Sequence, residues 1–499
     1  MQPEFTILLK GNKMRSYGLW IDGGAVSRPA AQSFLRNSPA TGKEVARFTM
    51  GTEADVDEAV ASARRTFRMG TWVGRPASER GRCLLRFADM IEARLPELAR
   101  IEADEAGKTI SSARAELAWS LELLRFAASL AWQMPGRMVD REGDDKLGLV
   151  SFDPLPVVGM ILPWNFPTVT LFQKLPYALV AGCSVVIKPS EFTSGTTLEY
   201  AAIAQEAGIP AGVISVVTGT GPVVGEAMCR HPGIEMISFT GSTIVGRRIA
   251  ALAGETLKKV TLELGGKGAN IVFADADFEA ALAGALAAFT INQGEECCAG
   301  GRLLVQESIA PEFLARLSQK AAAMRLGTPD DPDAEIGPMI HEAHLDRVLG
   351  HVAGAVSEGA QLRVGGRRAS APPLADGFFV EPTVLTGVTS EMSIFSEEVF
   401  GPVLAVTTFR DVAEAVVLAN QTRYGLANGV WTSNLDTAFA VSKALDSGVV
   451  YVNTYLETVP HLPFGGRRQS GLGRENGMEG LLEFMASKST FVKLSPLKR

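Results

Sequence analysis

The chain has 499 residues, 46% hydrophobic and 21% charged, a composition near the soluble globular average that excludes disordered, fibrous and disulfide-stapled miniature classes. At ~150 residues per domain the length corresponds to roughly three domains. A net charge of −7 without a concentrated basic tract argues against a nucleic-acid partner.

Residues 1–13 carry no apolar core behind a basic start, so no secretory signal is expected. The longest apolar stretches, 175–187 and 280–291, fall short of the ~18 residues that span a bilayer. The five cysteines, Cys83, Cys183, Cys229, Cys297 and Cys298, are odd in number and show no framework spacing, which points to a reducing compartment. The reading is a soluble, cytoplasmic protein with no membrane partner.

The first third reads as helical: residues 53–67 and 77–106 place apolar side chains at spacings of three and four, with charges opposite. From 148 to 273 short β-branched runs (157–162, 184–188, 213–217, 236–239, 269–273) alternate with Ala-rich helical stretches (171–180, 194–207, 223–229, 245–253). That alternation predicts a doubly wound parallel sheet with right-handed crossovers. It resumes at 302–307, 378–385, 405–409, 429–432 and 448–453, predicting a second α/β lobe with the boundary near residue 265.

Open α/β sheets bind ligands at the carboxyl ends of their strands, and here those ends carry small, polar or rigid residues. Two prolines in Pro163-Trp164-Asn165-Phe166-Pro167 stiffen a turn that can aim the Asn165 amide. Lys188-Pro189-Ser190-Glu191 holds a cation and an anion on a stiff loop. Gly219-Thr220-Gly221-Pro222-Val223-Val224-Gly225 and Thr240-Gly241-Ser242 each open a helix, where backbone N–H groups can meet a phosphate. Each loop alone reads equally as ordinary turn chemistry, and the first Gly-rich one lacks the G-x-G-x-x-G spacing; four in succession predict a dinucleotide pocket.

Glu263 ends the apolar run 260–264, and a carboxylate there is costly to bury unless it is paired or used; a structural ion pair is the alternative. Cys297, in Gly294-Glu295-Glu296-Cys297-Cys298-Ala299-Gly300-Gly301, sits in a polar turn whose N–H groups can stabilise an oxyanion; a small buried hydrophobe is the alternative. His341-Glu342-Ala343-His344 is not H-E-x-x-H and lacks a third ligand, so surface histidines and no metal are expected.

These loops, in order, resemble the aldehyde dehydrogenase superfamily: Pro163 to Pro167, Lys188 to Glu191, Phe239-Thr240-Gly241-Ser242, Glu263-Leu264-Gly265-Gly266-Lys267, and Asn292-Gln293-Gly294 leading to Cys297. Glu397-Glu398-Val399-Phe400-Gly401-Pro402, Pro463-Phe464-Gly465-Gly466 and Ser470-Gly471-Leu472-Gly473-Arg474-Glu475 complete the series. The resemblance runs from about residue 20 to the C-terminus. It implies a homodimer or homotetramer with a cofactor-binding domain at 1–135 and 155–265, a catalytic domain at 266–464, and a small β bridging or oligomerisation arm at 136–154 and 465–499.

The resemblance also implies the site. Cys297 attacks an aldehyde as thiolate to give a thiohemiacetal, Asn165 and the Cys297 N–H hold the oxyanion, and Glu263 activates water against the resulting thioester. Glu475 resembles a second, proton-relaying carboxylate. Lys188 and Glu191 would contact the adenosine ribose, Gly241 and Ser242 the pyrophosphate, and Glu398 and Phe400 the nicotinamide end. Trp164, Ser190, Gly221, Gly225, Thr240 and Leu264 would bind the cofactor with them. An acidic Glu191 suits free ribose hydroxyls, so NAD is expected, with NADP as the weaker alternative through Lys188.

The substrate tunnel implied by the resemblance comprises Glu116, Trp119, Phe166, Thr170, Gln173, Ile291, Glu296, Cys298 and Leu456. Glu296 departs from the family pattern: a carboxylate beside the sulfur opposes thiolate formation and repels anions, which predicts a neutral or cationic aldehyde. Gln173 stands where many relatives carry an aromatic, which argues against a cage for a quaternary ammonium. Gly268-Ala269 stands where Ser-Pro is commoner, a neutral variation. A CoA-acylating enzyme and an inactive structural or binding member remain as alternatives; Glu263 argues against the first, and the retained Cys297, Glu263 and Asn165 against the second.

Overall fold

The computed structural model describes residues 14–28, 32–140 and 145–495; the expectation for residues 1–13 lies outside them, as do 141–144 and 496–499 of the expected arm. Eight strands form the first sheet, in the order Gly471–Leu472, Lys259–Glu263, Met236–Thr240, Val157–Ile161, Ser184–Lys188, Ile214–Val216, Leu19–Ile21 and Gly24–Val26. The middle five are mutually parallel, and the edges pair antiparallel. Chain order reverses between Val157–Ile161 and Met236–Thr240, so a crevice opens beyond the carboxyl ends of those two strands.

Every side chain of Val157–Ile161, Ser184–Lys188 and Ile214–Val216 is buried, as a sheet covered on both faces requires. Val158, Met160, Val185 and Ile187 pack toward Phe87, Phe172 and Tyr177 on one face. Val157, Ile161 and Val186 pack toward Val56 and Val60 on the other. That alternation is the two-residue period of a strand.

The second sheet has seven strands, in the order Gln361–Val364, Thr383–Thr386, Val403–Phe409, Arg302–Gln306, Ala269–Val272, Ala427–Trp431 and Val449–Val452. All pair parallel except the edge strand Gln361–Val364. A separate antiparallel arm joins Arg137–Val139, Lys146–Pro154 and Met485–Lys493.

The structure changes several sequence expectations. The first third is not only helical, because Arg15–Tyr17, Leu19–Ile21, Gly24–Val26, Ser33–Asn37 and Glu44–Thr49 are strands, the first three too short to carry a clear period. The run at 269–273, grouped by sequence with the first alternation, belongs to the second sheet. The helix expected over 77–106 breaks at Arg94 into Ala77–Ala93 and Leu95–Ala106, since Pro96 has no N–H to continue the ladder. Pro176 divides the stretch expected at 171–180 into Pro167–Phe172 and Leu175–Ala181 for the same reason. Of the run 378–385, only Thr383–Thr386 is strand.

Candidate active site

Between the carboxyl ends of the first sheet and the loops that lead into the strands of the second lies a cleft of about 650 Å³. The first sheet supplies Trp164, Asn165 and Phe166 after Val157–Ile161, Thr240, Gly241 and Ser242 at the end of Met236–Thr240, and Glu263 and Leu264 at the end of Lys259–Glu263. The second lobe supplies Ile291, Glu296, Cys297 and Cys298 from the turn before Arg302–Gln306, and Glu398 and Phe400 from the loop before Val403–Phe409. Glu116 and Trp119 reach in from the helix Ile110–Ser129, Thr170 and Gln173 from the end of Pro167–Phe172, and Leu456 and Glu475 from later loops. Lys188, Ser190, Glu191, Gly221 and Gly225 do not line this cleft; they stand at the ends of the neighbouring strands Ser184–Lys188 and Ile214–Val216.

The turn that carries Cys297 is conformationally unusual. Asn292 and Gln293 both take φ of 49°, and Gly294 takes 72°. A Cβ on Gly294 would stand 2.4 Å from the Gly401 carbonyl, and one on Gly266 would stand 2.3 Å from the Cys297 carbonyl. Phe400, Leu456 and Asn476, all lining the cleft, also have positive φ, at 57°, 63° and 59°. Non-glycine residues hold that region only where their surroundings impose it, and such positions gather at functional sites.

Two N–H donors share the cleft with the Cys297 sulfur. The Asn165 amide gives one N–H to the Glu295 carbonyl (3.0 Å), which pins it to the turn that carries Cys297 and leaves its second N–H for a ligand. The Cys297 N–H donates to no group among the described residues. The thiol itself donates to Glu296 Oε1 at 3.4 Å, an oxygen that also accepts the Cys298 N–H at 3.1 Å. The Cys298 side chain, burial and the Glu296 carboxylate together hold the Cys297 thiol well above its ordinary range.

Asn165 is held from behind by a buried cation that sequence reading missed. Lys108 Nζ donates to the Asn165 carbonyl (2.9 Å), pairs with Glu116 and with Glu102 (3.4 Å), and lies 4.7 Å from the Phe166 ring centroid. Burial opposes its charge, but Glu116 and Glu102 outweigh that and keep its pKa above the ordinary lysine value. Glu116 also accepts the Thr168 and Val169 N–H groups (3.1 and 3.2 Å), so its charge is committed within the wall. Lys108→Met strands two buried carboxylates and is expected to cost about 3–5 kcal/mol, seen as a lower urea midpoint at unchanged slope. Adding Glu116→Gln should recover part of that loss; a Lys108→Met stability within about 0.5 kcal/mol of the parent would overturn this.

Glu263 is buried, and neither of its oxygens has a hydrogen-bond partner among the described residues. Burial and then the Glu475 charge raise its pKa well above the carboxylate range, with Lys174 and Arg474 pulling the other way. Lys174, another residue without a sequence signal, pairs with Glu475 and donates to Thr240 Oγ1 at 2.6 Å. A partnerless buried carboxylate is a group kept for a ligand or a reaction.

His344 is a correction: it is buried rather than superficial, bonded through Nε2 to the Phe400 carbonyl at 2.7 Å. Its ring packs edge-on to Trp164 with centroids 5.6 Å apart, and burial lowers its pKa to about 4. His341 caps the helix Glu342–Ser357 by accepting the His344 N–H. Sequence gave no sign that this helix start faces the cleft.

The residues at the far end suit a dinucleotide. Lys188 Nζ donates to the Pro189 carbonyl (2.9 Å) and Glu191 (3.3 Å), placing a cation and an acceptor at one strand end. In the turn Gly221–Gly225 the Val224 and Glu226 N–H groups are engaged internally, and the glycines leave open space. Nothing lies within 4 Å of a Cβ built at Gly221, and beside Gly225 the nearest atoms, one of them Lys188 Cδ, are at 3.9 Å. Ser242 caps the helix Thr243–Gly254, whose N-terminus opens on the cleft and favours a pyrophosphate. At the inner end Glu398 accepts the Gly266 N–H at 2.8 Å, and Phe400 meets Trp164 edge-on with centroids 5.4 Å apart.

Residues 27–490 match the model of the family described as the aldehyde dehydrogenase family. The chain is 40% identical over 495 residues to an aldehyde dehydrogenase of Enchytraeus buchholzi, covering 98% of each. Among solved structures it is similar to an NAD-dependent aldehyde dehydrogenase from Sinorhizobium meliloti, with TM-score 0.95, 41% identity, and 98% and 97% of the two chains covered. It is also similar to a betaine aldehyde dehydrogenase from Staphylococcus aureus in complex with NAD+, with TM-score 0.95, 36% identity, and 97% and 96% covered.

Proposed function

Since the chain belongs to the aldehyde dehydrogenase family, we propose that Cys297, Asn165, Glu263 and Glu475 carry out NAD-dependent oxidation of a neutral or cationic aldehyde to its carboxylate. The enzyme is an oxidoreductase that uses NAD. The observation that carries the assignment of residues is one cleft holding a thiol, two uncommitted N–H donors and a buried carboxylate without partners.

Cys297 adds through sulfur to the aldehyde carbon, and its proton leaves to solvent. The alkoxide of the thiohemiacetal rests on the Asn165 amide and the Cys297 N–H, donors fixed before charge develops. Glu398 and Phe400 would hold the nicotinamide end of a bound NAD+, whose chemistry there would be to accept the hydride from that carbon. Glu263 then takes a proton from water as the water oxygen attacks the thioester, and Cys297 departs as thiolate. Lys174 and Glu475, joined by an ion pair, offer an onward route for the proton. A water-activating base is unneeded when a thiol accepts the acyl group, which favours hydrolysis over acylation of CoA.

The substrate's charge follows from Glu296. It lines the cleft 3.4 Å from the Cys297 sulfur, whereas the Glu116 charge is met by Lys108. Aldehydes of matched length with neutral, cationic and anionic tails, assayed for NAD+ reduction and carboxylate formation without CoA, test this reading. The anionic member should be about 10–100-fold poorer in kcat/KM, the effect of ~1.4–2.8 kcal/mol of repulsion. Glu296→Gln should narrow that gap and move Cys297 alkylation to lower pH. Equal turnover of all three by the parent enzyme, or an unshifted alkylation profile, would sink it.

The same proposal assigns residues 1–135 and 155–265 to cofactor binding, 266–464 to the catalytic domain, and 136–154 with 465–499 to an arm joining copies of the chain. Met138, Leu149 and Phe491 are exposed on that arm, and an open strand edge favours pairing with another copy as a dimer or tetramer. No helix among the described residues is long and apolar enough to cross a membrane. The five free cysteines suit a reducing, cytoplasmic setting.

A further inference from the structure

Three consecutive side chains at the nucleophile turn aim at one point. Glu296, Cys297 and Cys298 bring a carboxylate oxygen and two sulfurs within 4.8 Å of one another, the one such group of His, Cys, Asp or Glu ligand atoms among the described residues. Adjacent residues rarely point the same way on an extended strand, where side chains alternate. Here the turn after the positive-φ stretch Asn292–Gly294 folds them together, and the Glu296 carboxylate is already oriented by the Cys298 N–H (3.1 Å).

From this juxtaposition we propose that Glu296, Cys297 and Cys298 chelate a thiophilic divalent cation of the Zn2+ class, which reversibly masks the nucleophile. With Zn–S ~2.3 Å and Zn–O ~2.1 Å, a tetrahedral centre needs a sulfur-to-oxygen edge of about 3.6 Å. The Cys297 sulfur and Glu296 Oε1 are 3.4 Å apart, so the ligand edge is nearly formed before any ion arrives. Two thiolates and one carboxylate give an S2O set that selects Zn2+ or Cd2+ over the hard cations Mg2+ and Ca2+. Binding forms two metal–sulfur bonds and one metal–oxygen bond, both thiols release their protons to solvent, and water completes the fourth position. No group changes oxidation state. Glu296 and Cys297 are half-buried on the cleft wall, so an ion reaches them by the path an aldehyde takes.

Glu296 therefore has a second consequence beyond substrate charge. A neutral residue there would leave two sulfurs and no hard ligand, whereas the carboxylate makes a three-point chelate. Proton release makes the affinity fall as pH falls, and the ion and an aldehyde exclude each other because both need the Cys297 sulfur.

The test is metal binding to the full-length, cofactor-free enzyme, independent of turnover. Zn2+ is titrated against a chromophoric chelator, and Co2+ serves as a spectroscopic probe of thiolate ligation. One equivalent of Zn2+ should bind and protect Cys297 from alkylation, EDTA should reverse it, and Mg2+ should do neither. Cys298→Ser should lower Zn2+ affinity about 10–100-fold and roughly halve the Co2+–thiolate charge-transfer band; Glu296→Gln should lower affinity about tenfold with the band retained. Thermal melts matching the parent establish that both variants are folded, and for a variant that melts early the Co2+ band of the parent enzyme decides alone. Unchanged Zn2+ affinity in Cys298→Ser and Glu296→Gln, or a Co2+ spectrum without a two-thiolate band, would overturn the chelate in favour of capture by Cys297 alone or by a surface site. Absence of aldehyde oxidation by the parent would refute the proposed function and leave these binding readouts unaffected.

Discussion

Cys297→Ala abolishes aldehyde-dependent NAD+ reduction, with kcat expected to fall about 10^4-fold or more, because the covalent route to a hydride-donating carbon disappears with the sulfur. Without a thiohemiacetal the aldehyde carbon has no alkoxide to push hydride away, and the Asn165 amide has no oxyanion to stabilise. The neighbouring thiol does not replace it. Cys298 is buried, whereas Cys297 is half-buried on the cleft wall. Steady-state NADH formation measures the loss, and retained NAD binding by the variant shows that the cleft is intact. Turnover in Cys297→Ala within tenfold of the parent would remove Cys297 from the mechanism. A residual rate that vanishes in Cys297→Ala/Cys298→Ala would transfer the role to its neighbour.

What the sequence carried was local: strand tips, prolines that stiffen turns, and glycines where backbones meet. The central parallel strands were legible because continuous β-branched runs are what a doubly covered sheet demands. Asn165, Glu263 and Cys297 stood out where hydrophobic continuity breaks, but each alone read equally well as structural, and their roles came from the resemblance of the motifs around them. The N-terminal strands were not legible, since three-residue pieces such as Leu19–Ile21 have no measurable period, and that strand joins the large sheet only by pairing with Ile214–Val216, far along the chain. Lys108 and Lys174 were hidden for a different reason. A lysine in a helical region reads as surface charge, and only the fold reveals that Glu102, Glu116 and Glu475 are waiting in the interior. His344 was misjudged by the same logic: amphipathic spacing indicates a helix with one wet face, but not which protein surface or cleft that face meets.

Glu263→Gln separates the two halves of the reaction. Addition of aldehyde to Cys297 and loss of hydride do not need this carboxylate, so each active site should form about one NADH in a fast burst. Deacylation then lacks the base that takes the water proton, and steady turnover should slow about 10^2–10^4-fold. The amide is nearly isosteric, so packing against Gly465, whose Cβ position lies 2.7 Å from Glu263 Oε1, is preserved. The pH dependence has a defined sign. Burial and the Glu475 charge raise the Glu263 carboxyl well above the usual range, and only the ionised form accepts a proton. Where hydrolysis limits, the parent rate therefore rises with pH through that elevated pKa, and Glu263→Gln loses this limb. Added thiols should restore part of the variant's turnover by attacking the thioester directly, because a thiolate needs no base to deprotonate it. A variant with no burst, or one with undiminished steady turnover, would contradict the role assigned to Glu263. Rapid-quench detection of NADH against product carboxylate distinguishes these outcomes, since stored acyl group appears as NADH formed in excess of acid.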